Sequence, residues 1–201
     1  MSSLRSSMIL GVLVLLGSVA VYPWLPAEVP IHFDLSGRVD ATAPRAIGAF
    51  LLPAITLLVI GIVARATRTR PPQERAPIAA TILLTTALLA GLQLIVVRAA
   101  LLGATDVALA LGTLLALASL GLALLLPRVR RNPHVGIRTP WTLGSDEVWA
   151  RSHRLGGYLF AAAGVIGLGS VALGRPEIAI VALAVAGLAA AAGSWWIARR
   201  V

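Results

Sequence analysis

At 201 residues, 58% of them hydrophobic and with a mean hydropathy of +0.90, the chain excludes an ordinary soluble core. Leu, Ala, Val and Ile with 19 Gly suit closely packed transmembrane helices, β-barrel patterning is absent, and zero cysteines exclude a disulfide framework and thiolate chemistry. The net charge of +9 comes from arginines that flank apolar runs without interleaved aromatics, which points to membrane orientation and lipid headgroups as partners and not to nucleic acid.

A helix of about 20 apolar residues crosses a hydrocarbon core about 30 Å thick, and six stretches meet that length: 6–23, 46–64, 77–99, 105–126, 155–173 and 177–198. The fold class expected is an all-α bundle of about six transmembrane helices. It divides into a two-helix segment over 1–76, with a proline-rich outer loop, and a four-helix segment over 77–201, with an inner loop over 127–154. The first stretch follows Arg5 as a secretory signal would, but "SVAVYPWLP" offers a poor cleavage site, so it reads as a retained helix.

The loop after it, "YPWLPAEVPIHFDLSGRVDATAPR", opens with Tyr22 and Trp24, which suit the headgroup belt. Pro23, Pro26 and Pro30 keep the backbone extended. Ser36-Gly37 predicts a turn in which Gly37 takes positive φ, so the loop is expected to be a compact cap. His32 and Asp34 share a face if the segment is extended and are weak candidates to bind one ion; alternatively Asp34 caps the turn and His32 bonds within the loop.

In the second span Pro53 predicts a kink. "RATRTRPPQERAP" reads as a solvated, proline-stiffened turn, and "LLGATD" and "LGRPE" as tight turns at the other end, with Arg98 and Asp106 paired across the former. Gly112 with Ala116, and Gly187 with Ala191, have the four-residue spacing of helix contacts. With both termini cytoplasmic, 13 arginines fall inside and four outside, which favours that orientation.

The inner loop holds "NPHVGIRTPWTLGSDEVW", an unusual concentration of tryptophan, proline and charge. Asn-Pro starts a turn, Gly136 gives backbone freedom and Pro140 forces Thr139 to be extended, so this half is ordered and non-helical. A helix start follows: Thr142 or Ser145 can cap, Asp146 and Glu147 sit in the first turn, and Glu147 stands four residues before Arg151. This helix is expected to run into the fifth span with Trp149 and His153 on one face. Arg138 reads either as a membrane anchor or as a guanidinium that holds a phosphate, a lipid headgroup or a carboxylate such as Glu147. His134 and His153 with Asp146 or Glu147 offer metal-binding residue types at no recognised spacing.

These residues carry a resemblance. The chain resembles the bacterial SdpI family of multispanning membrane proteins, through "YPWLPAEVPIHFDLSGRVD", similar to an uncharacterised domain that often precedes such proteins, and through the pattern N-x-x-x-G-[IV]-R-T-x-[WY]-[TA]-x-x-x-x-x-[VA]-W. Asn132, Gly136, Arg138, Thr139, Trp141, Thr142, Trp149 and His153 fall in place, and they form the candidate binding set together with Pro30, His32, Asp34 and Gly37 of the outer loop. The resemblance implies a multi-pass protein of the bacterial cytoplasmic membrane that protects its cell from a secreted membrane-active toxin peptide. It brings a toxin peptide and a transcriptional repressor as candidate partners, without a cofactor and without setting an oligomeric state.

No lysine, cysteine, His-Glu-x-x-His motif or glycine-rich phosphate loop is present, so a non-enzymatic role is expected. A small transporter or lipid-handling protein is the first alternative, although the acids lie in loops or at span ends. A metal-dependent membrane enzyme is the other.

Overall fold

A computed structural model describes residues 2–34, 36–103 and 106–201. Seven helices and one hairpin follow in order: α1 (Ser2–Val21), β1 (Glu28–Phe33), β2 (Val39–Pro44), α2 (Arg45–Ala66), α3 (Pro72–Leu102), α4 (Val107–Leu125), α5 (Pro140–Gly144), α6 (Asp146–Ala172) and α7 (Glu177–Ala198). Six of the seven are long and apolar enough to cross a membrane, α5 being the short exception. Their outward faces remain apolar: Leu94 is 69% exposed and Leu188 73%, which water would penalise and lipid does not. The protein is a multi-pass membrane protein of the helical class.

Inward faces are made of small residues, because lipid offers no hydrophobic drive for helix pairing and close backbone approach must supply the attraction. A Cβ added at Gly167 of α6 would stand 2.9 Å from Ala116 Cβ of α4 and 3.2 Å from Ala179 Cβ of α7, so α4, α6 and α7 meet at that level. Gly112 and Ala116 are both buried at this seam, as their spacing predicts. The expectation for Gly187 and Ala191 is corrected. Nothing lies within 4 Å of a Cβ at Gly187 and Ala191 is exposed, since α7 turns Ala179, Ala186, Ala190 and Ser194 inward instead.

The helices α1, α2 and α3 meet around Gln93. Its Nε2 lies 3.2 Å from Ser18 Oγ of α1, and 3.2 Å and 3.1 Å from the carbonyls of Gly48 and Ala49 in α2. Pro53 explains the last contact: α2 continues through it, and a proline has no N–H for the carbonyl four residues back, which is that of Ala49.

The loop between α1 and α2 holds more regular structure than a proline-rich segment suggests. β1 and β2 pair antiparallel, Val29 opposite Ala43, with irregular register on both sides of His32. Leu25 and Val29, at 2% and 0% exposure, peg the hairpin onto Ala49 and Val96. The turn near 67–71 is shorter than expected, because Pro72 occupies the first position of α3 and its fixed φ starts the helix there. Arg98 Nη2 meets Asp106 Oδ2 at 2.6 Å, whereas Ala104 and Thr105 of the expected turn lie outside the described residues.

Candidate functional site

The segment between α4 and α6 is organised by side chains that answer backbone groups. Leu126–Arg128 form a 3-10 turn, after which Asn132, 8% exposed, closes the next bend. Its Oδ1 accepts from His134 N and Val135 N, both at 2.8 Å, and its Nδ2 donates to Arg130 O at 2.8 Å and Val135 O at 3.2 Å. All hydrogen-bonding capacity of the amide is directed into the bend, as its donor and acceptor inventory allows.

Gly136 has φ +122°, a backbone that side chains rarely tolerate, and a Cβ there would lie 2.2 Å from His153 Nε2. The glycine lets the chain pass over the imidazole so that Ile137 N donates to His153 Nε2 at 2.9 Å. His153 Nδ1 faces Trp149 O at 2.9 Å. With Nε2 accepting, Nδ1 carries the proton, and the ring is a neutral bridge between loop and helix. Trp149 stacks on it, centroids 4.0 Å apart, and its Nε1 donates to Val129 O at 2.7 Å.

A short helix absent from the sequence reading comes next. Thr139 caps α5 in a capping box with Thr142: Thr142 N donates to Thr139 Oγ1 and Thr139 N to Thr142 Oγ1. Thr142 Oγ1 donates in turn to Ile137 O at 2.7 Å. Ser145, the second expected cap, starts α6 by accepting from Val148 N. α5 presents Trp141, whose Nε1 donates to Ser194 Oγ of α7 at 3.0 Å. Seven of the eight motif residues are thus engaged: Asn132, Thr139 and Thr142 shape the loop itself, while Gly136, Trp141, Trp149 and His153 tie it to α6 and α7.

Arg138 is the eighth. Its side chain is exposed and has no hydrogen bond or ion pair among the described residues. The expected clamp on Glu147 is not formed, because Glu147 Oε1 is taken by Arg151 at 2.6 Å, one helical turn away. Neighbouring charges are also occupied: Arg131 Nε meets Asp146 Oδ1 at 2.6 Å, and Arg70 Nη1 lies 2.6 Å from His134 Nε2.

This corrects the inner metal reading. His134 is held by Arg70, His153 is buried against Trp149, and the two acids face arginines, so the four do not converge. The outer reading is corrected too. His32 Nδ1 points to Asp40 Oδ1 at 2.6 Å, while Asp34 Oδ1 accepts from Ser36 N, Ser36 Oγ and Arg38 N. The irregular register around His32 turns it towards β2 and away from Asp34. The Ser36 hydroxyl, then the Arg38 amide, hold the Asp34 carboxyl below its ordinary range. Among the described residues no three His, Asp or Glu side chains gather at a metal-binding distance. Gly37 has φ +81° and passes close to Ala108, and Pro30 lies opposite Thr42.

Residues 128–197 match the family model described as the SdpI/YfhL protein family, and residues 9–57 match a domain of unknown function, DUF1648. Over the first of these stretches the chain is similar to the SdpI/YfhL family. The first match begins in the 3-10 turn and ends on α7, so it contains the whole lock between loop, α6 and α7. The second contains the hairpin and most of α1. The SdpI-like chain is also similar to the uncharacterized membrane protein YbgB of Bacillus subtilis (strain 168), 34% identical over 41 residues, which are 20% of this chain. The similarity spans 45% of that relative's length. No solved structure matches.

His32–Asp40, Arg70–His134 and Trp141–Ser194 escaped the sequence reading. The latter two join residues 64 and 53 positions apart, and no local spacing announces such a pair.

Proposed function

We propose that this SdpI-like protein is a non-enzymatic immunity protein of the bacterial cytoplasmic membrane, which protects its cell by binding a secreted membrane-active toxin peptide at the hairpin end. The observation that carries the reading is a separation of tasks along the bundle. The motif side chains at one end are committed to internal bonds, Arg138 excepted. At the other end Ile31 and Val39, exposed at 42% and 39%, stand on a hairpin seated by Leu25 and Val29, and Trp24, exposed at 72%, stands in the 3-10 turn that leads into it. An extended peptide can add to the outer edge of such a hairpin and place apolar side chains beside these three.

Charge supports the orientation. The loop end carries thirteen arginines against three acids, and the hairpin end four against five, a net +10 against −1. An excess of arginine favours the cytoplasmic side, which supports a topology with both termini inside and the hairpin outside. The three histidines are each engaged by a neighbour, which supports a binding role over hydrolytic chemistry. A signalling role, with a transcriptional repressor docked at the membrane, is favoured by Arg138, an unpaired guanidinium on the proposed cytoplasmic face.

The test is membrane potential in a sensitive bacterium exposed to secreted membrane-active peptides, at equal membrane levels of each variant. The wild type is expected to hold the potential, and Ile31→Asp with Val39→Asp to lose it. Arg138→Ala is expected to retain protection while losing any repressor contact. A wild type that protects against no peptide in the panel sinks the immunity reading.

A further inference from the structure

The surface between α3 and α4 is not smooth at the arginine-rich end. A cavity of about 470 Å³ opens there, lined by Ala76, Pro77 and Ala80 of α3 and by Leu125 of α4, with Arg128 and Arg130 at its rim. A second of about 460 Å³ continues it towards the bilayer centre, between Leu83 and Ala87 of α3 and Leu124 of α4. Ala80, Leu125 and Arg128 line both, so the two form one groove. Its apolar part is lined by small side chains, Ala80 and Ala87, between leucines of the two helices.

Charge at the rim is available. Arg128 uses one Nη1 hydrogen on Leu124 O, and Arg130 makes no side-chain bond among the described residues; both are exposed. Nearby Arg131, by contrast, is neutralised by Asp146. Two guanidinium groups with unused donors thus stand where a spanning helix ends, directly above an apolar channel along its side.

We infer that this groove is a binding site for an anionic phospholipid of the surrounding bilayer, the phosphate on Arg128 and Arg130 and one acyl chain laid between α3 and α4. Guanidinium groups offer paired donors to phosphate oxygens and an acyl chain fills what bulkier side chains leave vacant. The site is independent of the immunity proposal, since it lies at the other end of the bundle.

The experiment uses the full chain, purified in detergent, and counts retained phosphatidylglycerol against phosphatidylcholine by native mass spectrometry at graded lipid concentration. The wild type is expected to prefer phosphatidylglycerol. Each arginine near an anionic surface contributes roughly fivefold, so Arg128→Gln with Arg130→Gln should weaken that lipid by about 30-fold. Arg65→Gln with Arg68→Gln removes the same charge from exposed arginines at the same end but outside the groove, and should change binding by less than about threefold. Equal losses in the two pairs, or no preference for phosphatidylglycerol, would overturn the site. The occupant is checked separately: the natural chain has no cysteine, so Ala80→Cys and Leu124→Cys report single-site crosslinks. Absence of dimer crosslinks is expected; efficient crosslinking in bacterial membranes would mean that a second copy covers the groove and would equally overturn the lipid assignment.

Discussion

Leucine at position 93 tests how the first three helices are held. The Gln93 side chain is 2% exposed and has three acceptors within reach of Nε2, which has only two hydrogens to give. Ala49 O has the strongest claim, because Pro53 leaves it without its helical donor. A hydrogen bond between membrane helices is worth about 0.6 kcal/mol and at most about 1.7, while a buried carbonyl left alone costs roughly 1–3 kcal/mol. Gln93 Oε1 itself has no partner among the described residues, so leucine also removes one buried orphan and the gain offsets part of the loss. The net expectation is a destabilisation of about 1–3 kcal/mol for Gln93→Leu. A double-mutant cycle isolates the cause. Pro53→Ala restores an N–H opposite Ala49 O, so Gln93→Leu should cost about 1 kcal/mol less in that background. Reversible unfolding of the four proteins in mixed micelles measures it; additivity within about 0.3 kcal/mol would refute the link between the proline and the glutamine.

Gly136→Ala combines a prohibited φ with a collision at His153 Nε2, and the displaced Ile137 N–H adds its own penalty, together roughly 2–5 kcal/mol. A fall in Tm of roughly 10 °C, followed by tryptophan fluorescence, is expected; Gly187→Ala, with open space around it, should leave Tm unchanged or raised, and equal behaviour of the two variants contradicts the lock. Trp141→Phe removes the bond to Ser194 Oγ and should cost about 0.6–1.5 kcal/mol, an effect that Ser194→Ala should largely abolish in the double variant. For the hairpin turn, the Ser36 hydroxyl and Arg38 amide lower the Asp34 pKa from 3.8, so their contribution is complete above that value and is lost as pH falls through the lowered one. NMR of the Ser36 and Arg38 amides should titrate below pH 3.8 and stop titrating in Asp34→Asn; a midpoint at or above 3.8 contradicts the turn geometry.

The spans were legible because each satisfies a length and a polarity condition that no soluble helix meets, as 45–66 and 177–198 do. The helix beginning at Ser145 was legible too, its cap and acidic first turn lying within three residues. The hairpin was not. Its strands carry two prolines, Pro30 and Pro44, and what fixes them is Leu25 and Val29 fitting against Ala49, a partner met only after folding. The five-residue helix α5 escaped for a related reason: its capping box is threonine to threonine, and Thr142 reads as a cap for the following helix until its hydroxyl is seen on Ile137 O. In the candidate set, Gly136 was read for backbone freedom, but that freedom serves a ring sixteen residues further along from the Ile137 amide. Sequence periodicity records which face of a helix is apolar; it does not record which loop crosses that face.

One helix outruns the rest. α3 has 31 residues, a rod about 46 Å long, against a hydrocarbon core of about 30 Å and against 22 residues in α2. Such hydrophobic mismatch is relieved by tilt or by protrusion. The surplus at its first turns stands beside Arg70, and Arg70 grips His134 in the motif loop. A thicker bilayer would draw α3 upright and pull at that grip, while a thinner one would lean the rod over and slacken it. On this geometry the loop is expected to feel, through Arg70 and His134, the thickness of the membrane, a quantity that an agent inserting into the bilayer changes before it touches any protein.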